Sequence, residues 1–247
     1  MQNNFFLKNS VIDILEKPNR NSGISSQLIY GEKFKILDQK NGYFKIKSAY
    51  DKYTGFIKKI YKHKKFRPTH KIGILKSRIY LGNKKKKSNK FLPFASKIEI
   101  LDKSQNFVMY EKHKWLKSKD IFPISNKNTN FIKIFKSFLN CKYKWGGKTF
   151  EGIDCSALLQ IFYKYNNNSF PRDTIDQIKI KKGMLSKKKF KKGDIIFWKG
   201  HVAICINSKN LIHAYGPKKK VIIMPIKKTI KIIKKTAKLE VKKITSI

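Results

Sequence analysis

The first half of this 247-residue chain interrupts its apolar pattern every few residues with Gly, Asn, Asp or Lys. A segment so punctuated leaves no room for a helical stripe, and it predicts short strands joined by turns. Leu28-Ile29-Tyr30-Gly31-Glu32 leads into Phe34-Lys35-Ile36-Leu37, which alternates apolar and polar. Asn41-Gly42 separates that run from Tyr43-Phe44-Lys45-Ile46, a hairpin signal. Asp51–Ile57 gives another turn and strand. Strands at this spacing predict a small β-barrel over 1–62. Residues 65–124 repeat the plan more weakly, with strand candidates at Lys97–Leu101, Phe107–Tyr110 and Trp115-Leu116. The lysine run 84–87 reads as a solvated loop tip.

After the polar stretch Ser125–Asn130 the pattern changes. Phe131, Ile134, Phe135, Phe138 and Leu139 fall at helical spacing and predict a helix over 129–140, with Asn128 or Thr129 near its cap. A glycine-bearing loop, Trp145–Gly152, precedes a second helix starting at Asp154 or Cys155, whose stripe is Leu158, Leu159, Phe162 and Tyr165. A short helix capped by Asp173 is expected over 173–180. Strands are expected at 194–198, 201–206, 210–214 and 221–226. A basic amphipathic helix over 228–236, packed onto the sheet, and a strand near 239–241 complete the pattern.

The net charge of +43 raises the question of a polyanion partner. Nearly all of it is lysine, the only arginines being Arg20, Arg67, Arg78 and Arg172, and the lysines are spread through every segment. Lys, Asn, Ile, Phe and Tyr are plentiful, the residue set that AT-rich codons produce. Arginine scarcity argues against base readout, so no specific nucleic-acid partner is expected. No run of eighteen apolar residues exists, hence no transmembrane helix is expected. The first ten residues lack a basic n-region, a long apolar stretch and a cleavage site, which makes a cytoplasmic location the expectation. Three cysteines, an odd number, do not make a disulfide framework.

Cys155 is the leading candidate for chemistry. With Asp154 as N-cap it falls in the first helical turn, where free N–H groups and the helix dipole favour a thiolate nucleophile. His201 opens one predicted strand and His213 closes the next. If the two strands pair antiparallel, His201 serves as base and His213 fixes its tautomer. On pattern alone a buried, inert cysteine remains the competing reading. Cys205 fits that reading inside Val202–Ile206. No metal site is expected, because CxxC spacing is absent and His201 and Cys205 in one strand stand about 13 Å apart. His63, His70 and His113 lie among lysines or at turns and read as solvated.

Six short motifs then carry a resemblance. They are Tyr143-Lys144-Trp145-Gly146-Gly147, Gly152-Ile153-Asp154-Cys155-Ser156, Pro171-Arg172-Asp173 with Gln177, Lys192–Trp198, Gly200-His201-Val202 and His213-Ala214. In this order they resemble the NlpC/P60 cysteine peptidases over about 130–247. The front half resembles the bacterial SH3 modules of one subgroup through Ser26–Glu32 and Asp51–Phe56, with Pro68-Thr69-His70 like the inter-module junction. That subgroup comprises γ-D-glutamyl-L-diamino-acid endopeptidases.

The resemblance implies a papain-like α+β domain over 128–247 behind two SH3-like barrels, 1–62 and a divergent 65–124. It implies Cys155 as nucleophile, His201 as base and His213 as orienting member, with no cofactor. Tyr143, Asp154 and Ser156 match positions lining the substrate site, Asp154 and Ser156 helping to hold the free amine of an N-terminal L-Ala. Asp51 and Tyr53 match the module said to wall off one end of the cleft. The implied substrates are peptidoglycan-derived peptides, L-Ala-γ-D-Glu-diamino acid. Departures are Ala157 where the family has Gly, and Tyr215-Gly216-Pro217 in place of the subgroup's second polar stretch. A peptidoglycan-binding protein with an inactive peptidase domain, and an amidase or acyltransferase on the same fold, are the alternatives.

Overall fold

The computed structural model describes residues 4–58, 61–180 and 182–247. It divides into two compact units: one runs up to Asn128 and includes Lys164–Asn168, and the other comprises Thr129–Tyr163 and Ser169–Ile247.

In the first unit, a seven-stranded antiparallel sheet runs in the order Ile24–Ile29, Val11–Leu15, Thr54–Ile57, Tyr43–Ser48, Lys33–Lys40, Asn4–Leu7, Lys62–His63. Alternate residues of these strands, Leu7, Ile14, Leu28, Phe34, Ile46 and Ile57, fill its core and have no solvent exposure. The Asn41-Gly42 turn has both φ values positive, 50° and 73°, the combination whose twist matches a two-residue hairpin. The Leu28–Glu32 run departs from expectation. Its strand stops at Ile29, because Gly31 turns the chain at φ 78° and the Glu32 carboxylate accepts the Ile29 N–H at 2.6 Å. A Cβ on Gly31 would lie 2.2 Å from the Lys97 carbonyl oxygen, so only glycine fits.

The same unit holds a five-stranded sheet, Lys86–Pro93, Lys76–Leu81, Lys114–Lys117, Phe107–Glu111, Asp102–Ser104, and a three-stranded one, Lys97–Ile98, His70–Ile72, Ile121–Pro123. Ile72, Leu92, Ile98 and Leu116 pack there with Tyr30 and Phe66. The expected strand Lys97–Leu101 ends at Ile98, and Leu101 is exposed. Of the lysine run, Lys84 and Lys85 lie in the turn while Lys86 and Lys87 open the next strand. His63 is not free in solvent: it stacks on Phe66 at 5.1 Å and its Nε2 lies 3.3 Å from the Tyr30 hydroxyl.

The second unit has helices α1 (Phe131–Ser137), α2 (Cys155–Tyr165, all but its last two residues), α3 (Thr174–Gln177) and α4 (Ile226–Ala237). The cap of α1 is Asn130, one residue beyond the predicted candidates, whose side chain accepts the Lys133 N–H at 3.1 Å. Phe131 and Phe135 pack against Phe162 of α2. Helix α3 is shorter than expected. Asp173 holds its N-cap position with no side-chain capping bond.

Five antiparallel strands form the sheet, in the order Lys220–Pro225, Asn210–Tyr215, His201–Cys205, Asp194–Trp198, Lys243–Ser246. The last strand falls after the predicted 239–241. Lys238, in the left-handed region at φ 56°, ends α4, and the chain then travels to the sheet edge, where Ile244 pairs with Ile196. Leu239 and Val241 pack on the core from a loop, which explains their apolar signal. Ile226 and Ile233 of α4 join Ala203, Cys205, Leu211 and Met224 in that core. Cys205 is fully buried. Among the described residues no helix is long and apolar enough to cross a membrane.

Candidate active site

Asp154 ends the two-residue strand Gly152–Ile153 and starts α2. Its Oδ1 accepts the Ala157 N–H at 2.8 Å, the bond of an N-cap to the third helical residue. Cys155 is thereby fixed as the first residue of the helix. Its sulfur lies 4.0 Å from the Gly200 carbonyl oxygen, and the backbone N–H groups of Val202 and Ser156 lie close enough to work against the rise in its pKa. The residues on either side of His201 thus bracket the Cys155 sulfur.

The histidines follow from strand register. Ile204 pairs with Ile212 and Cys205 with Leu211, so the period-two alternation puts His201 and His213 on one face of neighbouring strands. His201 Nε2 and His213 Nδ1 are 2.9 Å apart. His213 is fully buried, stacks on Tyr215 at 4.6 Å, and places Nε2 3.4 Å from the Met224 sulfur. Trp198 lies 5.5 Å from the His201 ring.

Burial dominates the electrostatics. Loss of solvent pushes the Cys155 thiol up to about 12, and the Asp154 charge adds to that rise. Burial of the Cys155 side chain opposes the thiolate that the helix start favours. Burial holds His201 down to about 4, and burial followed by the neighbouring His201 holds His213 down to about 3. Burial thus disfavours the charged form of the thiol and of both imidazoles.

Asp154 and Ser156 face inward, 5% and 6% exposed. The Arg172 guanidinium spans both Asp154 oxygens, and its Nη1 also donates to the Ser156 hydroxyl at 2.7 Å. Ser156 donates to Asp154 Oδ1 at 3.0 Å, and the Gly146 N–H donates to Oδ2 at 2.9 Å. These bonds engage both carboxylate oxygens inside the protein. This network ties Asp154 and Ser156 to Arg172 at the start of α2. Tyr143 lies close enough to Cys155 and Asp154 for their charges to raise its hydroxyl pKa, burial being the larger cause. Asp51 and Tyr53 belong to the turn before strand Thr54–Ile57 in the first unit, where Asp51 Oδ1 accepts the Tyr53 N–H at 3.2 Å. Among the described residues no three His, Cys, Asp or Glu side chains are grouped so as to hold a metal ion.

Residues 140–238 match the NlpC/P60 family, and residues 14–59 match the bacterial dipeptidyl-peptidase SH3 domain. The chain carries an NlpC/P60 domain behind a bacterial SH3 domain. It is 25% identical to the gamma-D-glutamyl-L-lysine dipeptidyl-peptidase of Bacillus subtilis, over 84% of this chain and 77% of that one. The dipeptidyl-peptidase 6 of Lysinibacillus sphaericus is 33% identical over 34% of this chain and 31% of its own length. Among solved structures, an NlpC/P60 family protein from Bacillus cereus shares the fold, with a TM-score of 0.78 and 20% identity over 90% of this chain and 94% of that one.

Three groups around this NlpC/P60 site were not singled out by sequence reasoning. Arg172 stood in a quoted motif without a role. Its signal was rarity, an arginine in a chain that uses lysine almost everywhere. Gln177, on α3, donates to the carbonyls of Ser156 (2.9 Å) and Pro171 (3.0 Å), tying the Arg172 loop to α2. Met224 had no sequence signal, since a methionine in an apolar strand reads as core.

Proposed function

We propose that this chain is a cysteine endopeptidase that hydrolyses the γ-D-glutamyl to diamino-acid bond of peptidoglycan-derived peptides with a free N-terminal L-Ala. The observation that carries the reading is the cysteine at a capped helix start, bracketed by the residues flanking a histidine that is itself paired to a second histidine. The name of the B. subtilis relative, a gamma-D-glutamyl-L-lysine dipeptidyl-peptidase, supports the class of bond.

The Cys155 sulfur attacks the γ-carbonyl carbon while its proton passes to the free ring nitrogen of His201. The backbone N–H of Cys155, at the helix start, stabilises the resulting oxyanion. The tetrahedral species collapses, the C–N bond breaks, and the leaving amine takes the proton from His201. Water then attacks the thioester with His201 as base, releasing L-Ala-D-Glu and restoring the thiol. His213 holds the His201 ring, and Tyr143 lines the approach. Arg172, Asp154 and Ser156 hold the helix start.

The test is mass spectrometry of L-Ala-γ-D-Glu-diaminopimelate and its lysine counterpart, each with the amine free or acetylated, and with Cys155→Ala as control. Release of L-Ala-D-Glu from free-amine peptides alone, dependent on Cys155, is the expected result. A folded protein that cleaves none of them refutes the proposal. Cleavage of acetylated peptides would remove the free-amine requirement.

A further inference from the structure

A histidine base works only in the right tautomer. For His201 to take the thiol proton on Nδ1, its Nε2 must carry hydrogen and donate to His213 Nδ1, 2.9 Å away. His213 Nδ1 must then be an acceptor, and in a neutral ring that requires hydrogen on its Nε2. The opposite arrangement, with His213 Nδ1–H donating to His201, leaves the proton on His201 Nδ1 and abolishes the base. Something must choose between the two.

The atom facing His213 Nε2 is the Met224 sulfur, at 3.4 Å. A thioether accepts and never donates. It bonds to an Nε2–H and opposes an Nε2 lone pair. The contact is buried, since His213 has no exposure and Met224 has 8%, which leaves water no ready way to replace it. Register supports it: His213 pairs with Ile222 and Leu211 with Met224, which sets Met224 diagonal to His213 on the same face. Tyr215, stacked on His213 within 11° of parallel, holds the ring so that its Nε2 keeps this aim.

We infer that Met224 is a positioning residue of this site: its thioether selects the Nε2–H tautomer of His213, which orients the hydrogen of His201 onto Nε2 and leaves Nδ1 as the base. Burial, which keeps both rings neutral near pH 7, is the condition under which tautomer choice matters. The inference rests on the reading of His201 as general base.

Two measurements test it. Long-range proton–nitrogen correlation NMR on the 15N-labelled, substrate-free chain reads each ring's tautomer directly, assigned with His201→Asn and His213→Asn. The expected result is hydrogen on Nε2 of both rings, and hydrogen on Nδ1 of either overturns the inference. Kinetics on the γ-glutamyl peptide supply the second arm. Met224→Leu conserves volume and removes the acceptor, and it is expected to lower kcat about tenfold, about 1.4 kcal/mol of barrier, with KM unchanged. Met224→Gln offers an oxygen acceptor of similar size and is expected to keep wild-type kcat. The reverse ranking, Leu active and Gln impaired, assigns Met224 to packing alone and overturns the inference, as do two variants both equal to wild type. If the wild type cleaves no peptide, the proposed function fails while the NMR arm still decides the tautomer.

Discussion

The bond network of Arg172 makes a quantitative prediction about stability. Its side chain is 2% exposed and that of Asp154 is 7%. The guanidinium supplies the only cation bonded to that carboxylate among the described residues, in a two-pronged geometry. Arg172→Met keeps an unbranched apolar stem and removes the fork. It leaves Asp154 buried with the Gly146 and Ala157 N–H groups and the Ser156 hydroxyl, but without an opposite charge. Removing one partner of a buried pair costs about 3–5 kcal/mol, a large share of the roughly 5–15 kcal/mol that holds a typical domain folded. Arg172→Lys restores the charge without the fork, and its loss should fall between wild type and Met. In Asp154→Asn/Arg172→Met neither charge is buried alone, so the double variant should lose less than the sum of the singles by about 2 kcal/mol. Urea unfolding followed by tryptophan fluorescence tests this, with Trp145 and Trp198 reporting on the second unit. If Arg172→Met stays within about 1 kcal/mol of wild type, or the two singles add, the buried pair does not hold this helix start.

Other expectations follow from the same geometry. Gly31→Ala forces a side chain into φ 78° and against the Lys97 carbonyl, and should lose at least about 2 kcal/mol in a urea titration; an unchanged midpoint would show that the turn relaxes freely. Ile233, 3% exposed where α4 meets the sheet, should lose about 2–5 kcal/mol on replacement by Ala, and a loss below about 1 kcal/mol would mean α4 is not anchored there. The acid limb of kcat/KM should sit near 4, where His201 titrates, and a limb near 6.5, the value of a free imidazole, would contradict a buried base. Unfolded histidines titrate near 6.5, so between that value and about 4 for His201 and about 3 for His213 the unfolded chain binds more protons. Stability should therefore fall as pH drops through this window, and a flat midpoint refutes it. Iodoacetamide should alkylate Cys155 slowly between pH 6 and 9 with no titration step, and a step below pH 7 would reveal a resting thiolate.

Much of this architecture was legible because it rests on local rules. Asn41-Gly42 encodes its hairpin in two residues that accept positive φ, and Asp154 encodes a helix start by offering a carboxylate to the third N–H. Period-two alternation put His201 and His213 within reach once the strands paired. What escaped depended on long-range contact. The strand expected through Tyr30 and Gly31 ends because a carbonyl of a distant segment approaches Gly31, and Leu239 and Val241 are apolar without being a strand because they cover the core from a loop. Arg172 folds back onto Asp154 from eighteen residues away, a contact that a carboxylate beside a cysteine does not announce.

The position of Cys155 also shows which of two opposing effects governs a nucleophile. The helix start favours a thiolate by about 0.3–1 kcal/mol, up to ~2 in partly buried sites. Burial and the Asp154 charge raise the thiol from 9.0 to about 12, equivalent to about 4 kcal/mol against the thiolate. The second effect wins, so the helix start does not hold a preformed anion. In the proposed reaction the Cys155 N–H at that helix start meets the charge that appears once the carbonyl is attacked. On that proposal charge develops as the S–C bond forms and the proton moves to His201. On that proposal the tautomer of His201 is decisive, and the rings that set it, His201 and His213, sit among Tyr215, Trp198 and the Met224 thioether.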